Sequence, residues 1–173
     1  MMKVKIPESA KIEVEGNTII TSGALGKNRR IFNANLLSAT VSGNTLTING
    51  IGGKKLAKKA RTAEIALAKE VQNDINGVSK YYEINMKGVF AHFPLSIEVK
   101  NGSVYINNLF GERVPRIAKI VGDTKAETTG QGLIIRGTSL DDVTQSAANV
   151  RKACRIKDKD IRVFQDGVYH AEV

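Results

Sequence analysis

The chain has 173 residues, with 26 Lys and Arg against 17 Asp and Glu, a net charge of +9. That length holds one or two domains with a real core, and that charge points to a polyanionic partner, nucleic acid before membrane or acidic protein. One cysteine, Cys154, excludes an internal disulfide and a multi-cysteine zinc site, and two histidines far apart leave a metal centre without ligands. Val4 and Ile6 alternate before Pro7, Ile12 and Val14 before Gly16-Asn17, and Thr18 and Ile20 after it, which reads as strand, turn, strand. Gly26 then opens a loop carrying Lys27, Arg29 and Arg30. Leu37 to Ser42 and Thr45 to Asn49 make a second hairpin about Gly43-Asn44. From Lys54 the period becomes helical, with Leu56, Ala60, Ala63, Leu67, Val71 and Ile75 on one face and Gly77 as the stop.

The second half follows the same plan. Leu95, Ile97 and Val99 alternate, then Val104 and Ile106, while Pro94 and Pro115 mark strand beginnings or bends. Ser139 with Asp142 three residues on is a capping-box variant, and Leu140, Val143, Ala147, Val150 and Cys154 form one helical stripe, so that Cys154 reads as a small buried hydrophobe. Segment 12–26, IEVEGNTIITSGALG, aligns without a gap on 97–111, IEVKNGSVYINNLFG, and GNTLTING at 43–50 aligns on GQGLIIRG at 130–137. Order, spacing and the following helix all agree, so the chain divides into two copies of one unit, 1–80 and 81–173. The expected fold is α+β, two tandem duplicated domains, each an antiparallel β-sheet packed by one α-helix.

The tail, 151–170, takes over where the second helix ends. Arg151, Lys152, Arg155, Lys157, Lys159 and Arg162 stand against Asp158 and Asp160, six cations minus two anions within twelve residues. A solvated terminus would account for the charge alone. Val163, Phe164, Val168 and Tyr169 lie among those charges, and Asp166-Gly167 supplies a turn, so the expectation is an ordered element that docks its apolar side and presents its cations.

Enzymatic signals are weak. NGIGGKK at 49–55 places a glycine-rich turn before a helix, where backbone donors meet phosphates. A P-loop, however, needs glycine where Ile48 stands and Ser or Thr where Lys55 stands. The glycines therefore turn the chain or hold a phosphate of a larger nucleic acid. Lys54, Lys55, Lys58, Lys59 and Arg61 crowd the first turns of that helix, where its dipole disfavours cations; a bound anion or a solvated face accounts for them. His92, between Phe90 and Phe93, reads as a packed histidine and His170 as a surface one. Asp141 and Asp142 read as helix-start residues rather than acid–base catalysts. No catalytic set, metal, cofactor or small-molecule substrate is expected. Aromatics make up 5% of the chain, with no tryptophan, which favours structured RNA held through backbone and shape over stacked single strands. No apolar run reaches the roughly 18 residues of a membrane span, and MMKVKIPESA has no signal-peptide core, so the expected location is the cytoplasm, with no membrane partner.

KGVFAHFPLSIEV at 87–99, NLFGERVPRIAKIVGDTK at 108–125 and, above all, IKDKDIRVFQDGVY at 156–169 resemble large-subunit ribosomal protein L-six in its archaeal and eukaryotic form. KARTAEIALAKEVQNDINGV at 59–78 is similar to that family's first-domain helix. The resemblance implies two duplicated α+β domains on large-subunit rRNA. It places the principal contacts in the second domain, near the sarcin-ricin loop, beside neighbouring ribosomal proteins and close to where translational GTPases dock. Carried onto matching positions, it implies rRNA-binding roles for Arg155, Lys157, Lys159, Asp160 and Arg162 in the tail and for Arg113, Arg116 and Lys119 in the loop after the Leu-Phe-Gly turn. The bacterial branch's proline-rich, lysine-glycine tail is absent.

Charge by halves points the other way: 13 cations minus 6 anions up to residue 80, +7, against 13 minus 11, +2, from residue 81. Clustering of the tail cations favours the second domain as the main binder. Lys27, Arg29, Arg30, Lys54, Lys55, Lys58, Lys59 and Arg61 become secondary contacts. The expected function is a structural constituent of the large subunit that binds rRNA and supports the factor-binding region. A free RNA-binding or RNA-chaperone module is the alternative, and a phosphate-handling enzyme stands third.

Overall fold

In the computed structural model, residues 2–51, 57–157 and 159–171 are described. The chain separates into two compact units, Met1–Tyr81 and Tyr82–Val173. Among the described residues each is α+β, with two antiparallel sheets and one α-helix.

In the first unit, β1 (Met2–Lys5), β6 (Thr45–Gly50) and β5 (Leu37–Ser42) form one sheet, in that order, and β2 (Ala10–Glu15), β3 (Thr18–Gly23) and β4 (Gly26–Ile31) the other. Helix α1 (Ala57–Ser79) packs Leu67, Val71, Ile75 and Val78 on Val4, Ile12, Ile19, Leu46 and Ile48. Leu56, expected to begin the helix's apolar stripe, lies outside the described residues. Gly23 allows the end of β3 to meet the end of α1, because a Cβ there would lie 2.7 Å from Val78 Cγ2 and 2.9 Å from the Val78 carbonyl oxygen.

Three expectations for this unit are corrected. The buried residues of β3 are Ile19 and Thr21, not Thr18 and Ile20. The two-residue turn Gly16-Asn17 pairs Glu15 with Thr18, so Val14 stands opposite Ile19 and Ile12 opposite Thr21, and directly opposed residues share a face. Residues 26–31 form the strand β4 rather than a loop. Its inward positions are polar, Asn28 and Arg30, so no apolar alternation announces it. Helix α1 also runs through Gly77, which is buried with Val78; the helix ends where Lys80 N–H donates to the Asn76 carbonyl at 2.8 Å. Tertiary burial outweighs the ~1 kcal/mol that glycine costs in a helix.

In the second unit, β8 (Ser96–Lys100), β9 (Ser103–Asn107) and β10 (Arg116–Lys119) repeat the β2-β3-β4 sheet. β11 (Lys125–Thr129), β12 (Gly132–Gly137) and β7 (Tyr82–Val89) repeat the order β5-β6-β1. The aligned apolar positions agree: Ile19 and Val104, Leu46 and Leu133, and Ile48 and Ile135 are all fully buried. Helix α2 (Leu140–Ala153) starts as expected, with the Ser139 hydroxyl accepting from Asp142 N–H at 3.3 Å. Its buried stripe is Val143, Ser146, Ala147 and Val150, followed by Cys154. Ser146 had no place in an apolar pattern; its hydroxyl accepts from Val121 N–H at 2.9 Å and ties the chain after β10 to the helix.

The tail breaks the symmetry. β13 (Gly167–His170) pairs antiparallel with the outer edge of β7, Val168 opposite Gly88 and Tyr169 opposite Lys87, making a fourth strand. An open strand edge is a template for unwanted pairing, and β13 covers this one. Asp166-Gly167 is not the turn it was expected to be. Asp166 is buried and accepts from Ala91 N–H at 3.0 Å, while the turn lies at 161–163, where Val163 and Phe164 N–H reach the Asp160 carbonyl. Val168 docks at 1% exposure, but Val163 stays 71% exposed.

Candidate nucleic-acid interface

The site is built where two loops of the second unit meet. The first begins with Asn108-Leu109-Phe110-Gly111. Leu109 is buried, and around it Asn108, Phe110 and Gly111 take φ of 57°, 54° and 77°. A left-handed phenylalanine is uncommon and costs roughly 1–2 kcal/mol, so packing must hold it. Its ring packs against the core and stands edge-on to Phe164 at 6.0 Å, and Lys159 Nζ lies 5.5 Å from the Phe110 centroid and 4.7 Å from that of Phe164. Two loops distant in sequence are thereby joined through two rings and one ammonium.

A second connection comes from Arg116 at the start of β10. Its Nε and Nη2 donate to the Glu112 carboxylate at 2.8 and 2.6 Å, and Nη1 donates to the main-chain oxygens of Ala153 and Arg155 at 3.0 and 2.9 Å. The guanidinium thus satisfies the Ala153 carbonyl that the end of α2 leaves open, and the Arg155 carbonyl just beyond the helix. That hydrogen bond, with the charges of Arg116 and Lys159 behind it, holds the Glu112 carboxyl below its ordinary value against partial burial. Burial drives the Cys154 thiol up, as expected of a packed cysteine rather than a nucleophile.

Arg155, Lys157, Lys159 and Arg162 are exposed on the tail loop, and Arg113 on the facing loop. Arg113, Arg155, Lys157 and Arg162 make no ion pair with a described residue. Asp160, expected among the RNA-contacting residues, uses its carboxylate to accept from Arg162 N–H at 2.9 Å and shapes the turn. Lys119 is apart from this cluster, exposed on β10 beside Lys152 of α2 in a shallow groove. Arg116, with every nitrogen engaged, is a strut. Sequence reasoning missed the Phe110–Phe164 pair; NLFG and VFQ each carried a ring, but only folding brings them together.

In the first unit Lys27 and Arg29 are exposed on β4, while Arg30 points inward. Its Nε and Nη2 donate to buried Asp74 at 3.1 and 2.9 Å, and Nη1 lies 3.6 Å from Glu70. Lys58, Lys59 and Arg61 are exposed near the start of α1, whose first turn carries no acid. Lys54, Lys55 and the glycines Gly52 and Gly53 lie outside the described residues. His92 is exposed and edge-on to Phe93 at 4.8 Å, not packed as expected. Among the described residues no cluster of His, Cys, Asp or Glu could hold a metal, and no helix is long and apolar enough to cross a membrane.

The sequence model of ribosomal protein L6 matches residues 93–167, the stretch that carries both loops of the site. The chain is 36% identical over 168 residues to large ribosomal subunit protein uL6 of Methanocella arvoryzae, covering 96% of this chain and 93% of that one. It is 37% identical over 166 residues to the protein of the same name from Thermoplasma acidophilum, covering 96% and 92%. The Archaeoglobus fulgidus protein is 35% identical over 171 residues, covering 96% and 86%. On these likenesses, which run through both units, the chain belongs to the ribosomal protein L6 family.

Proposed function

We propose that the chain is a structural constituent of the large ribosomal subunit, in the cytoplasm, and binds large-subunit rRNA chiefly through its second unit. The observation that carries this is the pair of loops clamped at Phe110, Phe164 and Lys159, which holds Arg113, Arg155, Lys157 and Arg162 out to solvent. Fixed cations on a rigid scaffold suit a folded phosphate backbone, since phosphate contacts set affinity and register. Lys159 contributes its charge to the same face, and Lys119 extends it along β10. Arg116 and Asp160 act by positioning the loops. Lys27, Arg29, Lys54, Lys55, Lys58, Lys59 and Arg61 make secondary contacts from the first unit, while Arg30 serves the fold.

The rRNA site is proposed to lie near the sarcin-ricin loop, with neighbouring ribosomal proteins as partners and translational GTPases docking close by, and the chain catalyses nothing. Sedimentation of cell extracts tests the assignment. The chain should travel with large subunits and come away only at high salt. Recovery in the ribosome-free supernatant at low salt would favour a free RNA-binding module. Protein–rRNA crosslinking in isolated subunits tests the finer placement; crosslinks that avoid the sarcin-ricin region would reject it.

A further inference from the structure

We propose that the groove between the end of α2 and the tail takes one unstacked nucleotide of the bound RNA. Its base would lie against Ile161, Phe164 and Tyr169, and its flanking phosphates on Arg151, Lys152 and Arg155. This rests on the rRNA-binding reading and adds a base-recognising subsite to what is otherwise a backbone-reading surface.

The groove encloses about 620 Å³, within the ~300–1,000 Å³ typical of small-ligand sites. Its walls differ chemically. One presents Arg151, Lys152 and Arg155, all exposed and without an ion pair to a described residue. The other presents Ile161 at 72% exposure, Tyr169 at 41% and Phe164 at 39%, over a floor of buried Val168. No carboxylate of a described residue lines it. Helix polarity accounts for Arg151 and Lys152, which complement the negative end of α2. It accounts neither for Arg155 beyond the helix nor for three large apolar side chains left in water beside it.

Both rings are fixed in advance. The Tyr169 hydroxyl donates to the Gln165 carbonyl at 3.0 Å, and its ring lies so close over Gly167 that a Cβ there would come within 3.2 Å. Phe164 is held by Phe110 and Lys159. A rigid aromatic next to cations is what an extruded base requires, because stacking and phosphate pairing then act on the same nucleotide. An apolar protein segment would cover the rings and strand three cations. A free phosphate would meet the cations and leave the rings wet.

The test uses the full chain and the host's deproteinised large-subunit rRNA. Ile161→Ser and Tyr169→Ser should each weaken binding about fivefold or more, leave the salt dependence unchanged because no phosphate contact is lost, and remove ultraviolet crosslinks from Phe164 and Tyr169 to nucleotides. Tyr169→Phe, which keeps the ring, should bind within twofold of the parent. Should Tyr169→Ser disturb β13, Ile161→Ser, at a side chain already mostly in water, still decides. Binding of both serine variants within twofold of the parent, without groove crosslinks in the parent, would overturn the subsite and leave rRNA binding standing. Groove crosslinks running to a protein peptide in assembled subunits would overturn it equally. Failure of the parent to bind rRNA at all would overturn both readings.

Discussion

Arg116 grips Glu112 with two hydrogen bonds, at 2.8 and 2.6 Å, while the remaining face of the same guanidinium caps the end of α2. A planar fork with five donors can hold the carboxylate bidentately and serve the carbonyls with its remaining nitrogen, whereas an ammonium, with three donors on one nitrogen, cannot match that geometry. Arg116→Ala should therefore destabilise the chain by about 1.5–3 kcal/mol, and Arg116→Lys should recover less than half. Urea midpoints measured at an unchanged slope check this; full rescue by lysine would show that charge alone matters.

The same pair predicts an acid-side pH dependence. The folded Glu112 carboxyl titrates below its ordinary value of 4.5, chiefly because Arg116 hydrogen-bonds it. A depressed carboxyl contributes stability above its unfolded value and loses it as pH falls through the folded one. The parent chain should lose stability below about pH 4.5 more steeply than Glu112→Gln. Urea midpoints at a series of acid pH values compare the two, and parallel curves would remove Glu112 from the account.

Replacing Arg155, Lys157, Lys159 and Arg162 together by alanine should weaken rRNA binding more than replacing Lys54, Lys55, Lys58 and Lys59. The tail variant should also flatten the salt dependence by about three units of slope, at somewhat under one per lost phosphate contact. Binding titrations at several salt concentrations decide. Equal or reversed losses would refute the ranking of the two units.

Lys159 and Phe164 should be energetically coupled. A double-mutant cycle with Lys159→Met and Phe164→Leu should return about 0.5–1 kcal/mol, the range of a cation–π contact at an exposed site. A coupling near zero would leave the tail loop held by the Phe110–Phe164 contact, Arg116 and Asp166, without help from the ammonium.

Asp74 is 2% exposed and is the inward partner of both Asn28 and Arg30. Asp74→Ala leaves the Arg30 charge without that partner and should cost about 3–5 kcal/mol. Arg30→Ala should lower stability as well, while Arg29→Ala, one residue away on the exposed face, should leave thermal and urea midpoints near the parent's. An unaffected midpoint in Asp74→Ala would contradict the account of β4.

Much was legible without coordinates because apolar periodicity records burial directly. The duplication, both hairpins of the first half, the capped α2 and its stripe all follow from which positions must leave water. The internal alignment even carried the right face of β3, since Ile19 falls on Val104, where direct alternation chose Thr18 and Ile20. β4 was illegible because its inward side chains are polar and meet their partner, Asp74, 44 residues away from Arg30 in sequence. Gly77 was misjudged because a local helix penalty says nothing about the sheet waiting to bury it.

Sequence alone determined that two similar α+β units exist, that the chain is strongly basic and that its last stretch gathers cations, because composition and period are properties of the chain itself. Which cations are free was decided by tertiary structure. Arg116 and Arg30 look like Arg113 and Arg29 in sequence, yet the fold turns the first two inward onto carboxylates and carbonyls and leaves the other two in water. A guanidinium's role depends on whether an acceptor stands within hydrogen-bonding reach, and that distance is set only when strands, helix and tail are packed together.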